Sequence, residues 1–277
     1  MEIKTLYQLF IASTGVATDT RNIKPNSIFF ALKGDNFNGN LFALNALKNG
    51  ASYAIVDEKQ DVQNEKIIRV DNTLITLQKL ANYHRKQFDI PVIAITGTNG
   101  KTSTSYILEA LLNGADVPCG VMGTIDHHYK TETWKTELTT PDTKTFYQRL
   151  GDFLKLGAKA FVMEVSSHGL KQGRVPIRFD MALFTNFTRD HLDYHETMED
   201  YLASKELLFK NHLKEEGDVF VALNEDDPQV GQTVLPQHVV RLGFGQGVAS
   251  DFQYAIEDIS FEYSQFTLKY PSVAKIS

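Results

Sequence analysis

The segment Ile93–Ser103, IAITGTNGKTS, decides the fold of this chain. Its apolar, β-branched start predicts a buried strand, and residues 105–112 after it are compatible with a helix. Between them, two glycines allow backbone N–H groups to close around phosphate oxygens at the N-terminus of the helix. The order of strand, glycine-rich loop, Lys101-Thr102 and helix therefore predicts a phosphate-binding loop.

The loop departs from the standard nucleotide-binding pattern at one position. That pattern has a glycine five residues before Gly100, where this chain has Ile95, so the loop is a shortened Gly-Thr-Asn-Gly-Lys-Thr variant. Lys101 would contact the β- and γ-phosphates of ATP, and the Thr102 hydroxyl would be a ligand of Mg²⁺. The alternative is a glycine-rich turn that binds nothing. We expect ATP and Mg²⁺ as cofactors, with the nucleotide contacts made by Gly97, Thr98, Asn99, Gly100, Lys101, Thr102 and Ser103.

Composition narrows the class of protein. With 277 residues the chain is long enough for two domains, and 42% hydrophobic with 22% charged residues is ordinary for a globular protein. A net charge of −6 without a run of lysine or arginine argues against a nucleic-acid surface. No signal-peptide core and no apolar stretch near about 18 residues occur, so we expect a cytoplasmic monomer without membrane or nucleic-acid partners. The only cysteine, Cys119, is expected to be buried.

Alternating strand and helix patterns predict an α/β protein. Residues 1–88 form a small N-terminal α/β domain, and residues 89–277 form a mostly parallel-sheet domain with helices on both faces. The step before Pro91 marks the boundary between them. Predicted strands cover residues 27–32, 52–56, 66–70, 92–96, 160–165, 181–186 and 218–223. Predicted helices cover residues 41–48, 73–88, 101–112, 143–156 and 197–210. The alternating segment 251–271 predicts an antiparallel hairpin.

Three polar clusters are each predicted to follow a strand, where open α/β sheets place their sites. They are residues 138–142 (LTTPD), 163–174 (MEVSSHGLKQGR) and 185–195 (TNFTRDHLDYH). The first could be an ordinary turn and helix cap, and the third a solvated loop. Glu164 is harder to explain in this way, because a buried carboxylate without a partner is costly and needs a cation. Beside the phosphate loop, the clusters predict one site.

Together these motifs resemble the Mur ligases of peptidoglycan synthesis, from Thr18 to Phe209. Within that family the resemblance is to the branch that adds the third amino acid to UDP-N-acetylmuramoyl-L-alanyl-D-glutamate. Residues 18–34 (TDTRNIKPNSIFFALKG) are similar to the signature of its UDP-binding domain. The resemblance implies an ATP-dependent amide ligase. A substrate carboxylate would be phosphorylated to an acyl phosphate, which the amine of lysine or diaminopimelate then attacks.

The resemblance also implies roles for individual residues. The catalytic residues would be Lys101, Glu164, His191 and Lys205. The metal ligands would be Thr102, Glu164 and His191, and Asn186 would contact the nucleotide. Substrate contacts fall to Thr20, Thr139, Thr140, Ser166, Gln172, Arg174 and Lys205. Lys205 is expected to be carbamylated, which requires a neutral amine; its alternative is an ordinary surface lysine. The chain departs from the family at Thr20, where serine is usual, and at Asn38-Gly39, where Asp-Gly is usual.

Other readings stay open. The family has a third domain that selects the incoming amino acid, and nothing in the sequence corresponds to it, so the resemblance implies a truncated ligase. The chain could instead be a non-catalytic protein that binds UDP-muramoyl peptides, or a ligase of the folylpolyglutamate synthetase type. Arg174 and the N-terminal signature favour the muropeptide enzyme. Outside the motifs, the following histidines are expected to be ordinary: His84, His127, His128, His212 and His238.

Overall fold

The computed structural model describes residues 1–34, 37–60, 63–85, 90–191, 193–247 and 250–270. The chain divides into two compact units, Met1–Asp89 with Asp142–Asp152, and Ile90–Pro141 with Phe153–Ser277. The domain boundary predicted at residues 88 and 89, and the chain end at 275–277, lie outside the described residues. Among the helices described, none has the length and apolar character needed to cross a membrane.

The first unit is built on a small parallel sheet. Its strands are β1 (Val16–Ala17), β2 (Ile28–Phe30), β3 (Lys33–Gly34), β4 (Phe37–Asn38), β5 (Tyr53–Val56) and β6 (Ile67–Arg69). Its helices are α1 (Ile3–Ile11), α2 (Ala43–Lys48) and α3 (Thr73–Arg85). The sheet order is β1-β2-β5-β6 with all pairs parallel, while β3 and β4 form a separate antiparallel pair.

Strand β2 shows why this unit buries both faces of its sheet. Successive side chains of a strand point to opposite faces. Ile28 and Phe30 pack in one apolar cluster with residues of α1 and α3, whereas Phe29 and Ala31 pack in another with residues of α2. Each large side chain buried in this way contributes about 1.5–3 kcal/mol. The continuous apolar run in the sequence is therefore a strand covered on both sides.

The second unit contains the large sheet. Its strands are β7 (Val92–Thr96), β8 (Cys119–Met122), β9 (Asp126–Tyr129), β10 (Glu132–Lys135), β11 (Ala160–Glu164), β12 (Met181–Phe184), β13 (Val219–Asn224), β14 (Val239–Gly245), β15 (Phe252–Ile259) and β16 (Ser264–Lys269). Its helices are α4 (Lys101–Gly114), α6 (Ser167–Lys171), α7 (Met198–Asn211) and α8 (Pro228–Gly231); helix α5 (Thr143–Lys155) begins in the segment that groups with the first unit.

Strand order in the large sheet places the phosphate loop between two neighbours. The order is β10-β9-β8-β11-β7-β12-β13-β14-β15-β16. In this order, each neighbouring pair of strands between β8 and β15 is parallel. Strand β7 lies between β11 and β12, which follow it in the chain and lie on opposite sides of it. Such a switch point opens a crevice at the carboxyl ends of the strands. The ends of β7, β11 and β12 therefore define the candidate site.

The predicted α/β architecture is confirmed, and the terminal hairpin is present as β15 and β16. Four strands of the large sheet were not predicted: β8, β14, and the antiparallel strands β9 and β10. Residues 138–142 follow a strand, as predicted, but that strand is the antiparallel edge strand β10 and not one of the parallel strands. Strand β9 was not predicted because its sequence, Asp-His-His-Tyr, lacks the apolar pattern of a buried strand. Cys119 is buried, as expected.

His128 on β9 joins two carboxylates. Its Nδ1 lies 2.6 Å from Asp126 Oδ1, and its Nε2 lies 3.0 Å from Glu109 Oε2 on α4. Burial alone would lower the pKa of His128, but the hydrogen bonds with Glu109 and Asp126 raise it above its usual 6.5. The two carboxylates therefore stabilise the imidazolium form, and the pairs link α4 to the antiparallel edge of the sheet.

The His128 pairs are expected to make stability depend on pH. Because the pKa is raised on folding, their contribution is complete below about pH 6.5 and is lost as pH rises through the higher folded pKa. His128→Gln should therefore lose about 1–2 kcal/mol of unfolding free energy at pH 6 and less at pH 8. Urea denaturation at both pH values measures this.

His212 provides the matched control for that experiment. Burial lowers its pKa to about 4, so the neutral ring is favoured on folding and protonation opposes the fold at low pH. His212→Gln should accordingly be better tolerated at pH 6 than at pH 8, the reverse of the trend for His128→Gln. Equal losses for His128→Gln at the two pH values would contradict the charged pairing.

Candidate active site around the phosphate-binding loop

The loop after β7 depends on its two glycines. Gly97 has a φ of +145° and Gly100 a φ of +83°, which side-chain-bearing residues rarely adopt. A Cβ on Gly97 would also overlap the hydroxyl oxygen of Thr185, at the end of β12. Helix α4 begins directly after Gly100, at Lys101. The predicted arrangement of strand, tight loop and helix N-terminus is thus present.

Residues after β12 hold the loop in place. The backbone N–H of Asn99 donates to Asn186 Oδ1 (2.9 Å), and Asn186 Nδ2 donates back to the Asn99 carbonyl (3.0 Å). Thr185 donates its hydroxyl to the same carbonyl at 2.7 Å. Asn186 was predicted to contact the nucleotide; here its side-chain amide is engaged with the loop itself.

Glu164, at the end of β11, is fully buried and surrounded by hydroxyl groups. Its Oε2 accepts hydrogen bonds from Thr102 Oγ1 (3.0 Å) and Thr124 Oγ1 (2.7 Å), and its Oε1 accepts from the Thr124 backbone N–H (3.2 Å). The sequence predicted the proximity of Thr102 but gave no signal for Thr124. This carboxylate therefore lies directly against the start of α4, with donors in place of a partner cation.

The pair Thr102 and Glu164 has a geometry that fits Mg²⁺. Adjacent ligands of an octahedral ion with bonds of 2.0–2.1 Å lie about 2.9 Å apart, and the two side-chain oxygens lie 3.0 Å apart. Within the described residues, no group of three or more His, Cys, Asp and Glu side chains could hold a metal. Apart from the predicted ligand His191, phosphate oxygens and waters would have to supply the remaining ligands, as is usual for Mg²⁺.

Thr124 is expected to matter for stability through its hydroxyl. Thr124→Val keeps the shape but removes the shortest hydrogen bond to a fully buried carboxylate, so we expect a loss of about 1–3 kcal/mol. Thr124→Ser retains the hydroxyl and should lose clearly less. Urea denaturation of the two variants at neutral pH measures the difference. A valine variant as stable as the serine variant would show that the bond contributes nothing.

Two lysines converge on the loop from different helices. Lys101 Nζ donates to the carbonyls of Gly97 (2.9 Å) and Thr98 (2.8 Å), and Lys205 Nζ on α7 donates to the same Gly97 carbonyl (2.8 Å). Burial lowers the pKa of the Lys101 amine, against the opposing influence of Glu164 and Asp190. Burial lowers the pKa of Lys205 well below its usual value, and the nearby charge of Lys101 lowers it further. Lys205 is only 1% exposed, so the surface-lysine reading is wrong.

Tyr201 is a further residue of this region that the sequence analysis missed. Its hydroxyl donates to Thr98 Oγ1 (3.3 Å), and its ring centre lies 4.6 Å from Lys205 Nζ. The side chain is completely buried. Because Tyr201 precedes Lys205 by one helical turn on α7, the two share a face of that helix, which is the only sequence signal that could have found it.

The histidines after β11 and β12 form an aromatic cluster. The ring of His191 packs edge-on against His168 at 5.1 Å, and His168 stacks on Tyr194 at 3.9 Å. His191 has a φ of +53°, a conformation uncommon for residues other than glycine. His168 was quoted as part of a motif but given no role, yet it lines the same cavity as His191 and the loop.

Thr140, in the first polar cluster, holds two residues of the second. Its hydroxyl lies 3.0 Å from Ser166 Oγ, and Arg174 donates to its carbonyl at 2.5 Å. Thr140 is fully buried, so its role in the free structure is to hold Ser166 and Arg174. A Cβ on Gly169 would lie 2.6 Å from Thr140, which explains the close approach of α6 to this residue.

The phosphate loop and parts of the polar clusters line one cavity of about 600 Å³ within the second unit. Its lining does not include the predicted residues Gly97, Thr140, Glu164, Asn186 and Lys205. The cavity is lined by the predicted loop and metal-site residues Thr98, Asn99, Gly100, Lys101, Thr102, Ser103 and His191. It is also lined by the predicted substrate residues Thr139, Ser166, Gln172 and Arg174. Residues that were given no role in the sequence analysis complete the lining: Thr124, Glu137, Leu138 and His168. Thr20 belongs to the first unit, where it begins a short 3₁₀ turn and its carbonyl accepts from Asn49 Nδ2 at 3.1 Å. The structure thus gathers the second-unit residues and leaves the role of Thr20 a prediction.

Comparison with known proteins agrees with this geometry. Residues 95–274 match the Mur ligase middle domain, and residues 13–94 match the Mur ligase family catalytic domain. The chain is 37% identical to a UDP-N-acetylmuramoyl-L-alanyl-D-glutamate–2,6-diaminopimelate ligase of Geobacter sulfurreducens, over 89% of this chain and 50% of that protein. It is 42% identical to the ligase of the same name from Aquifex aeolicus, over 72% of this chain and 42% of the relative.

Solved structures show the same relationship. A structure of a UDP-N-acetylmuramoyl-L-alanyl-D-glutamate–2,6-diaminopimelate ligase aligns with a TM-score of 0.77 at 29% identity, covering 93% of this chain and 54% of that one. MurF ligase from Thermotoga maritima, in complex with ADP, shares the fold with a TM-score of 0.64 at 24% identity, over 92% of this chain and 55% of its own. The chain spans about half the length of the curated relatives it matches. On the strength of both matched domains, the chain belongs to the Mur ligase family.

Proposed function

We propose that this chain carries the ATP and UDP-muramoyl-dipeptide sites of an amide ligase that extends a peptidoglycan precursor by its third amino acid. The observation that carries the proposal is the single cavity in which the phosphate loop meets Arg174 and the hydroxyl groups of Thr139 and Ser166. A carboxylate substrate and a nucleotide phosphate would meet there. Family membership supports the same chemistry.

In the proposed complex, ATP places its phosphates against the loop and the first turn of α4. Lys101 would leave the Gly97 and Thr98 carbonyls and turn to the β- and γ-phosphates. Thr102, Glu164 and His191 would hold Mg²⁺, which when bound neutralises charge developing on the transferred phosphoryl group. A second cavity of about 500 Å³, lined by Asn186 and residues after β13, lies beside the loop and is available to the nucleoside.

The proposed reaction has two steps. A carboxylate oxygen of the substrate attacks the γ-phosphorus of ATP, and ADP leaves. The amine nitrogen of the amino acid then attacks the acyl carbon and loses a proton, and phosphate leaves as the amide forms. The first step brings two anions together, so cations must flank the site. Lys101 supplies one such charge, and Arg174 is suited to hold a carboxylate in its planar fork.

We propose that Lys205 carries a carbamate. Its amine has a lowered pKa through burial and through Lys101, which favours the neutral form that attacks CO₂. A nitrogen–carbon bond forms and one proton is released, giving an anionic group that still has one N–H. That N–H can keep the bond to the Gly97 carbonyl, so the modification is compatible with the present position of the nitrogen.

The proposed substrate is UDP-N-acetylmuramoyl-L-alanyl-D-glutamate, with contacts from Thr20, Thr139, Thr140, Ser166, Gln172 and Arg174. The incoming amino acid is lysine or diaminopimelate. The two relatives quoted are named as ligases of 2,6-diaminopimelate, which makes this amino acid the first to test.

The test is a thermal-shift titration with Mg-ATP and the UDP-muramoyl-dipeptide, separately and together, on wild type and Lys101→Ala. A ligand at 100 times its Kd stabilises the folded state by about 2.7 kcal/mol, a shift of several degrees. We expect both ligands to shift the wild type and only the dipeptide to shift the variant. A shift by a folate in place of the dipeptide would support a folylpolyglutamate-type ligase. Binding without turnover would support a non-catalytic binding protein, and no shift with either ligand would refute the proposal.

A further inference from the structure

His195 is buried between helices α6 and α7 and joins them through both ring nitrogens. Its Nε2 lies 2.9 Å from Ser167 Oγ, at the start of α6, and its Nδ1 lies 3.2 Å from Asp200 Oδ2, in the first turn of α7. A carboxylate only accepts hydrogen bonds, so Nδ1 carries the proton. In the neutral ring, Nε2 then accepts from the Ser167 hydroxyl.

This order of serine, histidine and aspartate is the one that activates a nucleophile in hydrolases, but burial excludes that use here. Ser167 is 1% exposed and His195 is fully buried. The serine oxygen therefore has no space beside it for an acyl group. The array can only fix the positions of the elements that carry it.

Asp200 holds the other end of α6 as well. Its Oδ2 accepts from Lys171 Nζ at 2.7 Å, and Lys171 is the last residue of that helix. Asp200 is itself fixed, because its backbone N–H is capped by Thr197 Oγ1 at 3.1 Å. One carboxylate on α7 thus ties α6 at its first residue, through His195, and at its last, through Lys171.

Helix α6 carries the residues that face the proposed dipeptide. Ser166 caps its start, Gln172 follows its end, and both line the cavity with Arg174 just beyond. Helix α7 carries Lys205, against the phosphate loop. The relative position of the two helices therefore sets the distance between the bound dipeptide and the phosphates.

We propose that His195 is a positioning residue that sets the dipeptide-binding segment against the phosphate loop through Ser167 and Asp200. The inference rests on the proposed function. A displacement of about 1 Å between reacting groups is enough to cost on the order of 100-fold in rate. The array would act on dipeptide binding and on transfer, while the nucleotide contacts of the loop stay as they are.

The experiment compares His195→Gln and Ser167→Ala with wild type by calorimetric titration. Both variants should weaken binding of the UDP-muramoyl-dipeptide by about 10-fold or more and leave the Kd of Mg-ATP within about twofold. Ser167→Ala removes one hydroxyl only and guards against a histidine variant that fails to fold. Lys171→Met, which removes the exposed tie to Asp200, is the matched control and should have the smaller effect.

Hydrogen exchange provides a readout that needs no ligand. The amides of Leu170 and Gln172, which bond to carbonyls within this segment, should exchange faster in both variants, whereas those of α4 should not. Unchanged dipeptide affinity in a folded variant, or equal weakening of both ligands, would overturn the inference while leaving the proposed function intact. A wild type that binds Mg-ATP but no dipeptide would overturn the proposed function, and this inference with it.

Discussion

Replacing Lys101 by alanine is expected to weaken Mg-ATP binding by about 10²–10³-fold. A hydrogen bond to a charged partner contributes about 1.5–3 kcal/mol, and Lys101 is the cation that the loop directs at two phosphates. In the free protein its amine donates to the Gly97 and Thr98 carbonyls, so the variant also loses these two hydrogen bonds in the absence of nucleotide. Calorimetric titration with Mg-ATP measures the change.

Lys101→Ala should also change the pKa of Lys205, although Lys205 itself is unaltered. The charge of Lys101 is one cause of the lowered pKa of Lys205, and both amines bond to the Gly97 carbonyl. Removing Lys101 raises the pKa of Lys205, lowers its neutral fraction, and should reduce carbamate formation at a given pH. The carbon signal of a carbamate in protein equilibrated with ¹³C-bicarbonate reports this directly.

Lys210→Ala is the matched control, because Lys210 lies on the same helix as Lys205 but is exposed and paired with Glu206. It should change neither the Mg-ATP affinity nor the carbamate signal. Wild-type affinity for Mg-ATP in Lys101→Ala would refute the role of the loop. A carbamate signal equal in Lys101→Ala and wild type would refute the coupling of the two lysines.

The phosphate loop could be predicted because everything it requires is local. Strand β7, the glycines and the start of α4 occupy one short segment, and positive φ at Gly97 and Gly100 is a property of those residues themselves. Strand β2 could be predicted for the same reason, since its apolar run is continuous. Periodicity and turn chemistry are sufficient where the chain determines its own conformation.

The partners of Glu164 could not be predicted, because they come from distant parts of the chain. Thr124 lies in the turn between β8 and β9, two antiparallel strands that the apolar pattern did not indicate. Lys205 shows the complementary case. Composition favours a surface lysine, whereas its place in the family motif predicts a different role, and the structure shows that the side chain is buried.

Glu164→Gln is expected to weaken Mg-ATP binding by about 10–100-fold, in line with the effect of altering groups around a bound metal. The amide keeps the size of the carboxylate but removes its charge. In the presence of EDTA, Glu164→Gln should instead strengthen ATP binding. The variant lacks an anion near the phosphates, so it repels metal-free ATP less than the wild type does. Titrations with and without Mg²⁺ therefore separate a metal ligand from a structural carboxylate. Equal changes under both conditions would exclude the metal role.

Gly123→Ala tests the position of the same carboxylate without altering its charge. A Cβ on Gly123 would overlap Glu164 Oε1, and since Glu164 is fully buried its carboxylate must move. We expect a loss of about 1–3 kcal/mol in stability and weaker Mg-ATP binding, but no gain for metal-free ATP, because the anion remains. Gly120→Ala is the matched control, since its Cβ would overlap the ring of Phe153 instead. It should destabilise the fold and leave the Mg²⁺ dependence unchanged, because Phe153 packs among the rings of Tyr129, Trp134 and Phe161.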